Sequence, residues 1–298
     1  MTITEHLESK GIRYTKNAET KKLSSIRAGG SAKLLVYPKS TAELIYLLEL
    51  MKTDGGKYKI IGNLTNVFFS DDGYEGTLIC TKLMSKMIPG SDELSVKAQA
   101  GASLSKILLF GAGAGIDLSC ALFGIPGTLG GALFNNAGAF GSEISSSFIS
   151  GEFFDLDCMK IIHIASDEMD FSYRNSLMQR ERLVFLEGTL SGYHRDGESI
   201  ISDLMRYKSQ RLAKHPQEPS LGSFFKKGKS YSASKLIDDA GLKGYSIGGA
   251  SVSEKHAGFL INKGGATASE INELANFIED TVYDKYSVKL HREAEFVK

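Results

Sequence analysis

The chain has 298 residues with thirty-five basic and thirty-five acidic side chains, enough for two or three compact units, and the balance excludes both an overall basic field for nucleic acid and an acidic tail. Cys80, Cys120 and Cys158 form no C-x-x-C pair, which argues against a disulfide framework or a zinc site and for a reducing, cytoplasmic setting. The start is polar, and no run of about 18 apolar residues occurs, so neither secretion nor a membrane span is expected.

Amphipathic spacing predicts a short helix over 1–12, then a strand over 32–37 ended by Pro38. A helix follows from an N-cap at Ser40 or Thr41 to the stop at Asp54-Gly55-Gly56. Strands at 57–61 and 67–69 flank the polar loop Gly62-Asn63-Leu64-Thr65-Asn66. From 76 to about 192, strand signals at 77–80, 94–98 and 184–188 alternate with a helix near 103–115 and a glycine-rich run. Helices are predicted over 199–211, 233–239 and 269–286, the last with Ile271, Leu274, Ala275, Ile278 and Val282 on one face. The breaker-rich segment 214–220 separates a C-terminal unit, giving an expected division into 1–75, 76–212 and 213–298.

The run from Gly124 to Gly141 places six glycines and one proline in eighteen residues. Such a backbone can present consecutive N–H groups to an anionic or planar ligand, which points to a phosphate-bearing cofactor. Its spacing matches neither a P-loop nor a Rossmann fingerprint. Taken alone, it also fits a glycine-rich turn under a helix.

Two other stretches carry chemistry. Tyr173-Arg174-Asn175-Ser176 sets a guanidinium beside an aromatic ring, suited to gripping a carboxylate. Ser223, between Gly222 and two phenylalanines, is a candidate proton donor in a partly dry pocket, with no nucleophile elbow and no Ser/His/Asp set around it. By composition alone Glu293 reads as a solvated charge, and His256, just before a strand, as either structural or ligand-facing. No clustered metal ligands are present, so no metal is expected.

In chain order, Arg27-Ala28-Gly29-Gly30, the 62–66 loop, 124–131 with 136–141, Tyr173 to Ser176, Gly222 to Lys226 and the long match over 236–262 resemble the UDP-N-acetylenolpyruvoylglucosamine reductase (UDP-N-acetylmuramate dehydrogenase) family. The likeness covers nearly the whole chain, and the short stretch from Ser176 to Ser223 resembles its type II subgroup. It implies an α+β fold: a two-part FAD-binding region of the vanillyl-alcohol-oxidase type, plus a smaller C-terminal α+β substrate domain. It implies NADPH and FAD as cofactors and a UDP-sugar enolpyruvyl ether as substrate. The setting implied is peptidoglycan precursor synthesis in the cytoplasm, serving cell-wall biogenesis, shape and division, by a monomer or weak dimer.

Residue by residue, the resemblance assigns cofactor binding to Gly62, Asn63, Leu64, Thr65, Asn66, Gly124, Ile125, Pro126, Gly127, Thr128, Gly130, Gly131, Asn136, Gly138 and Ala139. It assigns substrate binding to Tyr173, Lys226, Lys227, Lys243, His256 and Asn262. Ser223 would donate the proton, while Arg174 and Glu293 would position the substrate carboxylate and stabilise its enol. The last role implies a raised pKa for Glu293.

Three positions depart from the family pattern. Leu64 and Thr65 stand where the first flavin loop has glycine and serine, which puts a side chain into a tight turn and implies weaker flavin binding. Lys227-Gly228 replaces Asn-Pro, losing an amide and offering a lysine to the diphosphate. Glu295 stands where an arginine is usual, implying different packing of the last strand. Two alternatives stay open at this level: a non-catalytic flavin- or sugar-nucleotide-binding paralogue, and an FAD-dependent oxidase of the same fold.

Overall fold

The computed structural model describes residues 2–298; Met1, the first residue of the helix expected over 1–12, lies outside them. Among the described residues seven α-helices form, α1 (Ile3–Ser9), α2 (Thr41–Asp54), α3 (Leu104–Gly113), α4 (Leu129–Phe134), α5 (Gly197–Lys214), α6 (Ala233–Asp239) and α7 (Ala268–Tyr286). Their ends follow from capping chemistry. The Ser40 hydroxyl accepts from the Glu43 N–H, Gly55 closes α2 in the left-handed region at φ +68°, and Thr267 with Glu270 forms a capping box on α7.

The chain divides into two interleaved compact units. The first holds the described residues up to Thr15 with Leu35–Asn63 and Leu78–Gln210; the second holds Lys16–Leu34, Leu64–Thr77 and Arg211–Lys298. A four-stranded sheet, in the order Arg13–Glu19, Ser31–Tyr37, Tyr74–Cys80 and Tyr58–Ile61, has unit divisions falling inside its first three strands. Another division separates Asn63 from Leu64, inside the predicted flavin loop.

The first unit is built on a five-stranded antiparallel sheet ordered Lys160–Ala165, Phe148–Asp155, Leu183–Ser191, Ser95–Gln99 and Met87–Pro89. Its core gathers Ile107 and Leu108 of α3, Leu129 and Leu133 of α4, and Phe148, Phe153 and Phe185 of the sheet. The second unit pairs Ser220–Ser223, Phe259–Asn262, Ala250–Val252 and Ser246–Ile247 in that order. The apolar stripe of α7 that the spacing predicts is fully buried there, with Phe68, Phe224 and Phe225. A parallel pair, Glu295–Val297 with Val67–Phe69, completes the second unit.

Some elements differ from expectation. The strand Arg13–Glu19 is mostly exposed and polar, so it carries no alternation to reveal it. Strands Phe148–Asp155 and Lys160–Ala165 also went unpredicted; the first has a register shift within it, which breaks the period of two. The glycine-rich run is not all loop, because α4 lies inside it.

Candidate active site

In the first unit, the two predicted glycine segments meet. A Cβ built on Gly62 would lie 2.5 Å from Thr128 Oγ1, so only glycine lets the loop approach this closely. Thr128 is buried and caps α4 by accepting from the Gly131 N–H at 3.3 Å. Around it the backbone is tied down: Ile125 N–H donates to Leu122 O, Leu129 N–H to Ala102 O, Gly130 N–H to Ala100 O, and Leu104 N–H to the Gly127 carbonyl. Gly124 N–H reaches Ser105 Oγ at 3.3 Å, and Pro126 offers no N–H.

Downstream, Gly138-Ala139 pairs with Ser142-Glu143 across a two-residue turn in which Phe140 and Gly141 both have positive φ, the signature of a type I′ hairpin. Asn136 is wholly buried behind it. Its amide nitrogen donates to Glu143 Oε2 at 2.9 Å and Ser172 O at 3.0 Å, and its oxygen accepts from the Ser145 N–H.

The same hairpin receives Arg174. Ser172 and Asn175 exchange both backbone hydrogen bonds, so Tyr173 and Arg174 form a tight turn with Arg174 at φ +54°. The Arg174 guanidinium donates to Gly138 O at 2.9 Å and Asn136 O at 3.4 Å, and lies 5.0 Å from the centroid of the Tyr173 ring. Ser176 Oγ, donating to Phe134 O, fastens this turn to the end of α4. Glu143 supports the site without having been foreseen; its signal was its neighbourhood to the recognised motifs, whereas Ser176 closes the predicted 173–176 motif.

The second unit gathers Ser223, Glu293 and Asn66. Strand Ser220–Ser223 is bulged against Phe259–Asn262, and Gly222 sits at φ +78° with open space around its missing Cβ, so its backbone conformation requires glycine. Ser223 is exposed. The next residue, Phe224, accepts at its carbonyl from the N–H groups of Glu293 (2.8 Å) and Ala294 (3.3 Å). Asn66 Nδ2 donates to the Glu293 carbonyl at 2.9 Å, and the Asn66 carbonyl accepts from the Glu295 N–H at 2.9 Å. Glu293 itself is half-buried.

Leu64 is buried and held at φ +48°, the left-handed conformation a glycine adopts at no cost; its carbonyl accepts from the Ser25 N–H. Thr65 lies half-buried beside it. The Lys226 N–H donates to His291 O, whereas Lys227 is exposed and Lys243 pairs with Asp238 at 2.7 Å. His256 Nδ1 accepts from the Gly258 N–H, and its ring packs on Phe259 and edge-on to His215. Burial lowers the His256 pKa. Asn262 donates to Ile26 O and Arg27 O and accepts from Gly264 N–H and Ala266 N–H, which uses the full capacity of its amide to tie the Arg27 turn to the sheet.

An open polar cleft of about 510 Å³ lies elsewhere, lined by Arg195, Asp196, Glu198, Ser199, Ser202 and Asp203, none of them a predicted site residue. Arg195 is committed there to Asp117 and Asp203. Among the described residues no group of three or more His, Cys, Asp or Glu could hold a metal ion, and no helix is long and apolar enough to cross a membrane.

Residues 32–156 match the FAD binding domain family, which defines the class: an α+β flavoprotein oxidoreductase. Residues 214–297 match the family described as UDP-N-acetylenolpyruvoylglucosamine reductase, C-terminal domain. The UDP-N-acetylenolpyruvoylglucosamine reductase of Caldicellulosiruptor bescii is 38% identical over 100% of this chain and 95% of its own length. That of Clostridium perfringens (strain SM101 / Type A) is 38% identical over 91% and 88%. The crystal structure of UDP-N-acetylenolpyruvylglucosamine reductase from Thermus caldophilus aligns with a TM-score of 0.80 at 25% identity, covering 96% of this chain and 99% of that one. The chain belongs to the UDP-N-acetylenolpyruvoylglucosamine reductase family.

Proposed function

We propose that this chain reduces the enolpyruvyl ether of UDP-N-acetylglucosamine enolpyruvate to UDP-N-acetylmuramate, with NADPH as reductant and FAD as carrier. The observation that carries the reading is that Phe224, the residue after Ser223, is joined to Glu293, and Glu293 to Asn66, by backbone-directed hydrogen bonds, in a chain whose relatives bear the reductase name along nearly their full length. The residues present fit a flavin: Gly62 lets the 62–66 loop close on Thr128, whose Oγ1 a Cβ there would meet at 2.5 Å, and Gly138 and Ala139 follow in a type I′ hairpin, so both glycine segments keep small residues at these points. Residues 62–66, 124–131, Asn136, Gly138 and Ala139 would hold the cofactor, which when bound supplies the hydride chemistry between NADPH and C3 of the ether.

The chain's own side chains handle charge and the proton. Arg174 keeps a permanent positive charge against the substrate carboxylate as electron density builds toward C2. Ser223 Oγ gives its proton to C2, and the resulting alkoxide recovers a proton from water. A serine hydroxyl is a weak acid, so this transfer needs the strongly basic enol-like carbon of the half-reduced substrate as acceptor. Glu293, in its protonated form, hydrogen-bonds the enol of the substrate carboxylate, which requires its pKa to be raised. Tyr173, Lys226, Lys227, Lys243 and His256 are the remaining candidates for gripping the sugar nucleotide.

In this reading 1–75 and 76–212 serve the flavin and 213–298 the substrate. The enzyme would work in the cytoplasm, as a monomer or weak dimer, on peptidoglycan precursors that serve cell shape and division. Turnover in D2O with unlabelled NADPH tests it: the product should gain two hydrogens, with solvent deuterium at C2, and at C3 as well to the extent that the hydrogen carried by the cofactor exchanges with solvent before transfer. NADPH consumption that yields only hydrogen peroxide, with the sugar nucleotide recovered unchanged, would overturn the reading in favour of an oxidase.

A further inference from the structure

Immediately before Glu293, Arg292 spreads its guanidinium over one face of α7. Its Nε donates to Glu279 Oε1 at 2.7 Å and Nη2 to Glu279 Oε2 at 3.0 Å, a two-pronged pairing. Nη1 donates to Asn272 Oδ1 at 2.7 Å and Nη2 also to Asn276 Oδ1 at 2.5 Å. Positions 272, 276 and 279 are spaced i, i+4, i+7, so they form one row along the helix beside its buried stripe. The ion pair is about three-quarters shielded from water, with side-chain exposures of 22% and 29%. Planar, multiply bonded and shielded, the contact fixes direction as well as distance.

We propose that Arg292 is the positioning residue for Glu293, a proposal that rests on the catalytic role given to Glu293 above. Arg292 lies in the extended bridge opposite Phe225, and the chain bends at Glu293-Ala294 directly after it. At that bend the Glu293 N–H and carbonyl are held by Phe224 O and Asn66 Nδ2. Those two bonds, with Ala294 N–H on Phe224 O and Glu295 N–H on Asn66 O, set where the Glu293 backbone lies. The Arg292 fork ties the residue just before it to α7 through four further hydrogen bonds, so the bend cannot shift relative to that helix without breaking them. Arg292 touches no reacting atom; it directs the carboxyl that does. The α7 row therefore has two tasks, burial on the apolar stripe and orientation through Asn272, Asn276 and Glu279.

The test measures flavin reoxidation by the enolpyruvyl substrate, per bound flavin, in single turnovers of the holoenzyme. Arg292→Ala should slow that step on the order of 100-fold, as small misplacements of reacting groups do, with substrate KM and flavin reduction by NADPH nearly unchanged. Arg292→Lys, which keeps the charge but not the fork, should be impaired in the same step. Asn272→Ala/Asn276→Ala, which leaves Arg292 in place, should give a smaller loss there and covers the case in which Arg292→Ala fails to fold. In a Glu293→Gln background, Arg292→Ala should add little, since both act through one carboxyl. Multiplying effects, or normal reoxidation in the Asn272/Asn276 and Arg292→Lys variants while Glu293→Gln is slow, would overturn the positioning role alone. Normal reoxidation by Glu293→Gln itself would overturn it together with the role of Glu293.

Discussion

At residue scale, Leu64 is the position where sequence and structure speak most directly to each other. The family pattern marks it as a glycine site, and the structure holds it at φ +48° with its side chain buried. A leucine there costs roughly 1 kcal/mol in backbone strain, which burial of the side chain outweighs. Leu64→Gly should therefore destabilise the fold by about 1–3 kcal/mol in denaturant melts, because the lost packing exceeds the strain relieved. A stabilised variant would contradict this balance. Ser223→Ala should leave flavin reduction by NADPH nearly normal and stall reoxidation by substrate; equal loss in both half-reactions would remove the proton-donor role.

Single residues take a proposed role from the sequence where their chemistry lies in a motif, as Arg174 and Ser223 do by type and neighbours. The role of Arg292 is not readable there, because it depends on a carboxylate and two amides thirteen to twenty positions upstream that only the fold brings to it. Asn262 looked like a ligand-facing amide, and no sequence pattern shows that four backbone groups use its whole capacity.

At element scale, α7 was readable to within one residue because an amphipathic stripe and a capping Thr267 agree. Its start has a second, hidden support: Asp71 accepts from the N–H groups of Ala268 and Ser269 and from the Ser269 hydroxyl. Burial opposes ionisation of Asp71, but those bonds outweigh it and hold the carboxyl below its usual range. The stabilisation is thus present at neutral pH and disappears as pH falls through that lowered pKa. Asp71→Asn should cost about 1 kcal/mol at pH 7, in the range of a lost cap, with the difference from wild type closing in acid. A difference that stayed constant while the carboxyl is titrated in acid would contradict the assignment.

Helix α4 was hidden by its own composition, since Leu-Gly-Gly-Ala-Leu-Phe scores poorly as a helix and forms because packing on the sheet and the Thr128 cap supply what propensity lacks. Gly62→Ala drives a methyl into that cap. It should destabilise by about 1–3 kcal/mol and weaken flavin retention, and Thr128→Ala should add less in that background than alone.

At the scale of the whole molecule, the sequence conveyed the α+β class but not the interleaving, because a division that falls inside strands leaves no breaker-rich linker to read. The second unit also carries a pH signature. Burial, followed by the charges of Arg211 and its neighbours, lowers the His215 pKa to about 4. The unfolded imidazole titrates near 6.5, so as pH falls below about 6.5 the unfolded chain takes up the proton first and stability drops, until the folded state titrates near 4. His215→Gln should flatten that slope in melts across pH 4–7.

The central claim is a flavoenzyme that reduces an enolpyruvyl sugar nucleotide. The most direct test is the absorbance of the purified protein under anaerobic conditions, first with NADPH and then with UDP-N-acetylglucosamine enolpyruvate. The account predicts a flavin band that bleaches with NADPH and returns on adding substrate. A band that bleaches and stays bleached with substrate, returning only when oxygen is admitted, would contradict it.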